Sequence, residues 1–312
     1  MKAREYLWDA IEFTAGARMT TSYIRIGGVR AELHPDWRAS VASAVKETRR
    51  VLKDVSGLLD ANSIFQGRTR GVGTISREDA LSYGWTGPCL RSTGIAYDVR
   101  KANPYLVYDR LSFEVPVGER GDNYDRYFVR MREIEQSLRL LEQVSGLLPD
   151  AAPLPAGPAV EPAEAVRLSR RQRVEGRVVL SPNLEGSERE RLADLSAPDS
   201  GGALGSPGRG VGVPPKEATY TTMEGLIDHF FFMDGKGIRP PKGDVYASVE
   251  GGNGEVGFYI VSDGTDRPYR LHLRAPCFHI VSALEQLIRG RLVADVIPTF
   301  GSMNMIGGEL DR

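Results

Sequence analysis

Apolar residues recur at helical spacing in two long stretches. Trp37, Val41, Ala44, Val45, Thr48, Val51, Leu52, Val55, Leu58 and Leu59 predict an amphipathic helix over 35–60, opened by Pro35 with Asp36 in its first turn. Tyr124, Tyr127, Phe128, Met131, Ile134, Leu138 and Leu141 predict a second one, with Asp122 as N-cap and Arg126, Arg130, Glu133 and Arg139 on its charged side. Tyr6, Leu7, Ala10, Ile11, Phe13 and Ala17 spread over more than one face, which predicts a buried helix over 2–22. Between the long helices, residues 61–118 are broken by Gly67, Gly71, Gly73, Gly84, Gly87, Gly94, Pro88, Pro104 and Pro116. Only short segments fit there, among them a helix begun by the Ser76–Asp79 capping box and ended at Gly84.

Further on, Thr221–Glu224 caps a helix carrying Leu226, Ile227, Phe230 and Phe231, stopped by Gly235 and Gly237. The pattern then switches to period two. Val245, Ala247 and Val249, then Val256, Phe258 and Ile260, then Tyr269, Leu271 and Leu273 predict a three-stranded antiparallel meander, with turns at 251–254 and 263–264. A helix over 278–289 follows, and 292–297 leads into a C-terminal segment that is small, apolar and Gly-rich before closing on Glu309, Leu310, Asp311 and Arg312. Two Met side chains and Ile306 favour burial there, and charges buried beside them require partners. The fold class is thus α+β and predominantly helical, in three parts: a helical part over 1–149, an insertion over 150–217, and a helix–sheet–tail part over 218–312.

The insertion differs in composition. It is rich in Pro, Gly and Ala and holds no Phe, Trp or Tyr. Ordering it costs about 1–2 kcal/mol per residue in backbone entropy, more than its dozen or so Leu and Val side chains return, so it is expected to be mobile or ordered by a partner. The net charge of −1 argues against a nucleic-acid partner, and no apolar run reaches the length of a membrane span. Cys89 and Cys277 lie far apart, and His34, His229, His272 and His279 have no metal-ligand spacing. His272, between Leu271 and Leu273, reads as structural, and His279 as a weaker functional candidate. Arg68, Arg70, Arg91 and Arg100 fall in irregular segments, either solvated and locally paired or facing an anionic group or a neighbouring protein.

Five separated stretches carry a family resemblance: Gly16–Val29 (GARMTTSYIRIGGV), Arg68–Gly73 (RTRGVG), Val115–Arg126 (VPVGERGDNYDR), Gly257–Gly264 (GFYIVSDG) and Gly308–Arg312 (GELDR). Together they resemble the D-type subunit of NADH–quinone oxidoreductase, respiratory complex I, whose fold is that of nickel–iron hydrogenase large subunits. The resemblance implies a protein that binds no cofactor itself. It would shape the cavity where quinone, the substrate, meets the terminal iron–sulfur cluster held by the B-type subunit. The B-type and C-type subunits of complex I and, through the peripheral arm, the membrane arm would be its partners, at the cytoplasmic face of the cell membrane.

Hydrogenase large subunits end in a cysteine-bearing metal motif. The corresponding region here has no cysteine, so the resemblance implies no metal site and disfavours a hydrogenase-like catalytic role; a non-catalytic scaffold is the third reading. Met303, Asn304, Ile306 and Gly307 match positions of the quinone cavity, and Asn304 stands where relatives often have Asp. Thr20 stands where ubiquinone-using relatives often have His beside the cluster, and Arg68 and Arg70 match cluster-facing arginines. A neutral Thr20 implies a low-potential, pH-independent cluster feeding menaquinone. Glu309, Asp311 and Arg312 are expected to clasp the tail in place by ion pairs. The family's upstream His and Tyr quinone ligands have no match, which implies a truncated, split or fragmentary member.

Overall fold

The structure, a computed structural model, describes residues 2–25, 28–29, 33–148, 221–233, 240–265 and 267–311. Helices dominate it, joined in the C-terminal half by one small antiparallel sheet. The insertion expected over 150–217 and the helix stop at Gly235 and Gly237 lie outside the described residues, as does Arg312.

Helix α1 (Lys2–Ala15) leads through a two-stranded antiparallel ribbon, β1 (Ile24–Arg25) and β2 (Gly28–Val29), into α2 (Trp37–Leu59). Ala10 of α1 packs on Val41 and Val45 of α2 and on Leu138, with Trp37, Leu52 and Leu141 around them. The expectation of a buried first helix is corrected here: α1 holds no fully buried residue and ends at Ala15, because Gly16 takes φ +80° and closes it. With α2 packed on one side only, its other apolar positions are left half-covered.

Short elements follow as the glycines require: α3 (Ser63–Thr69), α4 (Arg77–Ser82), α5 (Gly87–Arg91), α6 (Val99–Ala102) and a 3₁₀ turn at Tyr108–Arg110. The Ser76 hydroxyl accepts from the Asp79 N–H at 3.0 Å, the cap expected from the sequence. Asp122 caps α7 (Asn123–Leu147) by accepting from the Asp125 N–H at 2.8 Å, and its second oxygen accepts from the Gly71 N–H at 2.8 Å. One carboxylate therefore fixes both the helix start and the loop beside it.

The face of α7 needs a larger correction. Ile134, assigned to the apolar stripe, is exposed, whereas Arg126, assigned to the charged side, is wholly buried. Helical spacing locates a buried face only when that face is apolar, and the inward face of α7 near its N-terminus carries Asn123 and Arg126 instead.

Helix α8 (Met223–Met233) precedes β3 (Gly243–Gly251), β4 (Gly254–Ser262) and β5 (Arg270–Arg274), paired in that order. Val249 faces Val256 and Gly251 faces Gly254 across a two-residue turn. Val245, Val249, Phe258 and Leu271, on one face of this meander, are exposed among the described residues. His272, read as structural, is exposed as well.

The single helix expected over 278–289 is two: α9 (Pro276–Ser282) and α10 (Leu284–Ile288), broken at Ala283. Ala283 itself packs in the core, where the break lets both segments reach it. Residues 293–303 form a further helix, α11 (Val293–Met303), and α12 (Gly307–Leu310) ends the chain's described part. The main core joins the middle of the chain to its end: Ile75, Ala80, Trp85, Cys89 and Leu90 meet Ile280, Ala283, Leu287 and Met303.

Arg91 holds the sheet to this core. Its buried guanidinium donates to Glu133 of α7, to Glu250 of β3 at 2.8 Å and to the Tyr97 carbonyl at 2.8 Å. Asp98 lies 3.7 Å away and pairs with Arg100 at 2.6 Å. Burial raises the Asp98 carboxyl's pKa, but the bonds from Arg100 outweigh it and hold the group below its ordinary range. Removing one member of such a buried set leaves the others uncompensated. Arg91→Met is therefore expected to cost about 3–5 kcal/mol in chemical denaturation, with part recovered by adding Glu250→Gln. A loss below about 1 kcal/mol would mean the carboxylates find other partners.

Candidate functional site: an arch at the chain end

The C-terminal segment is positioned by α11. At its start, the Asp295 carboxylate accepts from the Leu292 N–H at 3.2 Å and pairs with Arg68 of α3 at 2.7 Å. In its last turn, Thr299 accepts from the Asn123 side-chain amide at 3.1 Å, and Ser302 donates to the Asn123 side-chain oxygen at 2.9 Å. Gly73 closes over this pair. A Cβ there would sit 2.5 Å from the Asn123 oxygen, and its φ of +62° also favours glycine.

Two arginines one helical turn apart on α7 then meet the end of α11, the first at a side chain and the second at the terminal carbonyls. Arg126 donates to the Asn123 side-chain oxygen at 2.9 Å, the Ser302 hydroxyl at 3.1 Å, and the carbonyls of Gly73 at 2.7 Å and Gly121 at 3.0 Å. Its guanidinium rides 5.2 Å over the Trp85 ring, and burial lowers its pKa from the usual arginine value. Arg130 donates to the Ser302 carbonyl, to the Met303 carbonyl at 3.2 Å and to the Cys89 sulfur at 3.5 Å. The terminal carbonyls of a helix are orphaned acceptors at the negative end of its dipole, so cations are the fitting partners.

Beyond that cap the backbone turns sharply. Asn304 adopts the left-handed conformation, φ 54° and ψ 48°, which Asn tolerates better than most residues. Its side-chain amide donates to the Asn253 oxygen at 2.8 Å, while the Asn253 amide donates to the Asn304 carbonyl at 3.0 Å. Asn253 is 3% exposed and lies in the β3–β4 turn. It also approaches the Cys277 sulfur at 3.3 Å. Gly254 and Gly87 bring that turn into backbone contact with α5: a Cβ on Gly87 would fall 2.4 Å from the Gly254 Cα. Five residues past Asn304, the Glu309 carboxylate accepts from the Cys277 N–H at 2.9 Å, at the start of α9. An anion at a helix N-terminus is stabilised there.

Residues 304–309 therefore form an arch with both feet tied. Ile306, at its crown, is 49% exposed, and Gly307 and Gly308 are exposed beside it. Met303 lies below in the core with 0% exposure. Of the expected clasp, Glu309 is tied to a backbone N–H and Asp311 is exposed.

Arg68 reaches the start of α11 through Asp295, and Arg70 lies 4.5 Å over the Tyr124 ring of α7. Thr20 is exposed beyond α1, in a segment that Arg18 braces against Glu5, Asp9 and Glu12. Its φ of 49° is strained for a β-branched residue, at roughly 1–3 kcal/mol. The His279 carbonyl accepts from the Trp85 ring N–H at 3.1 Å. Among the described residues no group of three or more His, Cys, Asp or Glu is placed to hold a metal, and no helix is long and apolar enough to cross a membrane. Sequence reasoning missed Arg126, Arg130 and Asn253. Only the spacing of the two arginines, one closing the VPVGERGDNYDR stretch and the other four residues beyond it, hinted at their shared face.

The family model described as respiratory-chain NADH dehydrogenase, 49 Kd subunit, matches residues 1–312. The chain belongs to this family. It is 42% identical over 311 residues to the first D-type NADH-quinone oxidoreductase subunit of Sorangium cellulosum (strain So ce56), covering 100% of this chain and 64% of that protein. It is 40% identical over 312 residues to the D-type subunit of Myxococcus xanthus (strain DK1622), covering 100% of this chain and 63% of that protein. A combined C/D-type subunit of Bdellovibrio bacteriovorus (strain ATCC 15356 / DSM 50701 / NCIMB 9529 / HD100) is 38% identical over 309 residues, 99% of this chain and 46% of its own length. The chain thus spans less than two thirds of the length of these relatives.

At the foot of the arch, the Cys277 thiol is pushed up to about 11 by burial and then by Glu309. A raised folded-state pKa gives a stabilising contribution that is full below the unfolded value and lost as pH rises through the folded one. The thiolate absorbance that the native chain shows in excess of Cys277→Ser should therefore develop near pH 11, against about 8.5 after unfolding. A native excess step at the unfolded value would contradict the buried foot.

Proposed function

We propose that this chain is the quinone-site component of an NADH–quinone oxidoreductase, with the 304–309 arch forming one protein wall of the quinone cavity. The observation that carries the reading is the tied arch itself. A short apolar crown held outward by two anchored feet is a surface suited to a flat, apolar ring, and the family supplies the reaction in which such a ring is reduced. Asn304 is neutral, so the arch at that position contributes shape and hydrogen bonding rather than a proton.

On this reading the electrons arrive from an iron–sulfur cluster on a partner, the B-type subunit, with the C-type subunit alongside. The Bdellovibrio relative, whose name joins C and D, supports the second pairing. The assembly would lie at the cytoplasmic face of the cell membrane, joined to a membrane arm. This chain would hold no redox centre. Its part is to exclude water from one side of the quinone, orient the ring and set the electrostatics around the cluster.

Thr20, Arg68 and Arg70 are the residues we assign to the cluster-facing side. A threonine hydroxyl does not titrate near neutral pH, so cluster reduction beside it is not coupled to protonation as it is beside an imidazole. We therefore assign menaquinone as the acceptor, the partner of a low-potential cluster. Redox titration of the terminal cluster in the assembled complex should give a midpoint independent of pH between 6 and 8, roughly the imidazole titration range. A slope approaching ~59 mV per pH unit, one proton per electron, would overturn the assignment.

A further inference from the structure

We propose that Asn253 is a positioning residue for the quinone reaction: its amide locks Asn304 in the left-handed conformation and so sets the direction in which the arch leaves α11. The inference rests on the reading that the arch lines the quinone cavity.

The lock is reciprocal. Each amide donates once to the other residue, from Asn304 to the Asn253 side-chain oxygen at 2.8 Å and from Asn253 to the Asn304 carbonyl at 3.0 Å. Its geometry fixes both the backbone and the side chain of residue 304. Asn253 is itself immobilised. It is 3% exposed, its turn is pressed on α5 where Gly87 and Gly254 meet, and its amide also approaches the Cys277 sulfur at 3.3 Å. The other foot, Glu309 on the Cys277 N–H, is tied to that same cysteine. Asn253 therefore stands where the sheet, α9 and the chain end converge, and a shift of the β3–β4 turn would move both feet of the arch.

The chemistry also specifies the residue type at 304. A carboxylate there would face the Asn253 oxygen with no hydrogen to share. Turning the Asn253 amide over would supply a donor to that carboxylate but set its oxygen against the Asn304 carbonyl. Only an amide, or a protonated carboxyl, satisfies both contacts. A left-handed backbone alone, as glycine provides, keeps the turn and loses the lock.

The test uses the assembled complex, with quinone KM and kcat measured beside the rate to an artificial acceptor that takes electrons before quinone. Hydrogen exchange of the peptide spanning 303–311 is followed in the same preparations. Asn253→Ala and Asn304→Gly are expected to speed exchange of that peptide and raise quinone KM by about two- to tenfold, the equivalent of one net hydrogen bond, with the artificial-acceptor rate unchanged. Asn304→Asp, whose carboxylate stays ionised over the working pH range, should show the same defect. Unchanged exchange in Asn253→Ala would overturn the lock. Faster exchange with unchanged quinone KM would instead overturn the assignment of the arch to the quinone cavity. An Asn304→Asp variant with unchanged exchange and unchanged quinone KM would overturn the amide requirement.

Discussion

At the C-terminus of α11 Met303 is buried, and the last carbonyls have no further helical turn to accept from. Everything distinctive about this chain's end follows from how that constraint is met. Arg130 of α7 donates to the Ser302 and Met303 carbonyls, and Arg126, one turn earlier, holds the Ser302 hydroxyl; the cost of burying Arg126 is offset by four hydrogen bonds and the face of Trp85. Because these donors sit on a long helix capped by Asp122, the direction of α11 is inherited from α7. The arch then leaves from a fixed point.

The same solution appears at Arg91, where a buried guanidinium joins α5, α7 and β3. Both arginines occupy places where glycine-rich backbone passes through the interior and leaves carbonyls or carboxylates in need of donors. A hydrophobic core built only of Leu and Val would not satisfy them. The apolar cluster around Trp85, Leu90 and Met303 contributes burial, while the arginines determine which irregular path the chain takes through it.

That division explains what was legible in the sequence. The long helices, the Ser76 and Asp122 caps and the three-stranded meander follow from local periodicity and capping chemistry, and each is present. The polar inward face of α7 was not legible, since Arg126 and Arg130 look like a solvated stripe until the carbonyls of Gly73, Gly121, Ser302 and Met303 are brought to them. The break at Ala283 was not legible either: alanine is a good helix former, and nothing local in the sequence marks an interruption there. The tail's apolar character was visible, but its two Met side chains and Ile306 looked alike. The structure separates them, with Met303 inside and Ile306 outside.

On the proposed reading the separation matters for function, because Ile306 and Gly307 lie on the exposed side of the arch and Met303 beneath it. Photoaffinity labelling of the assembled complex with an azido-quinone, followed by peptide mapping, tests this most directly. The expected result is label within residues 304–309 that excess native quinone competes away. Competable label confined to other segments, with none in the arch, would contradict it.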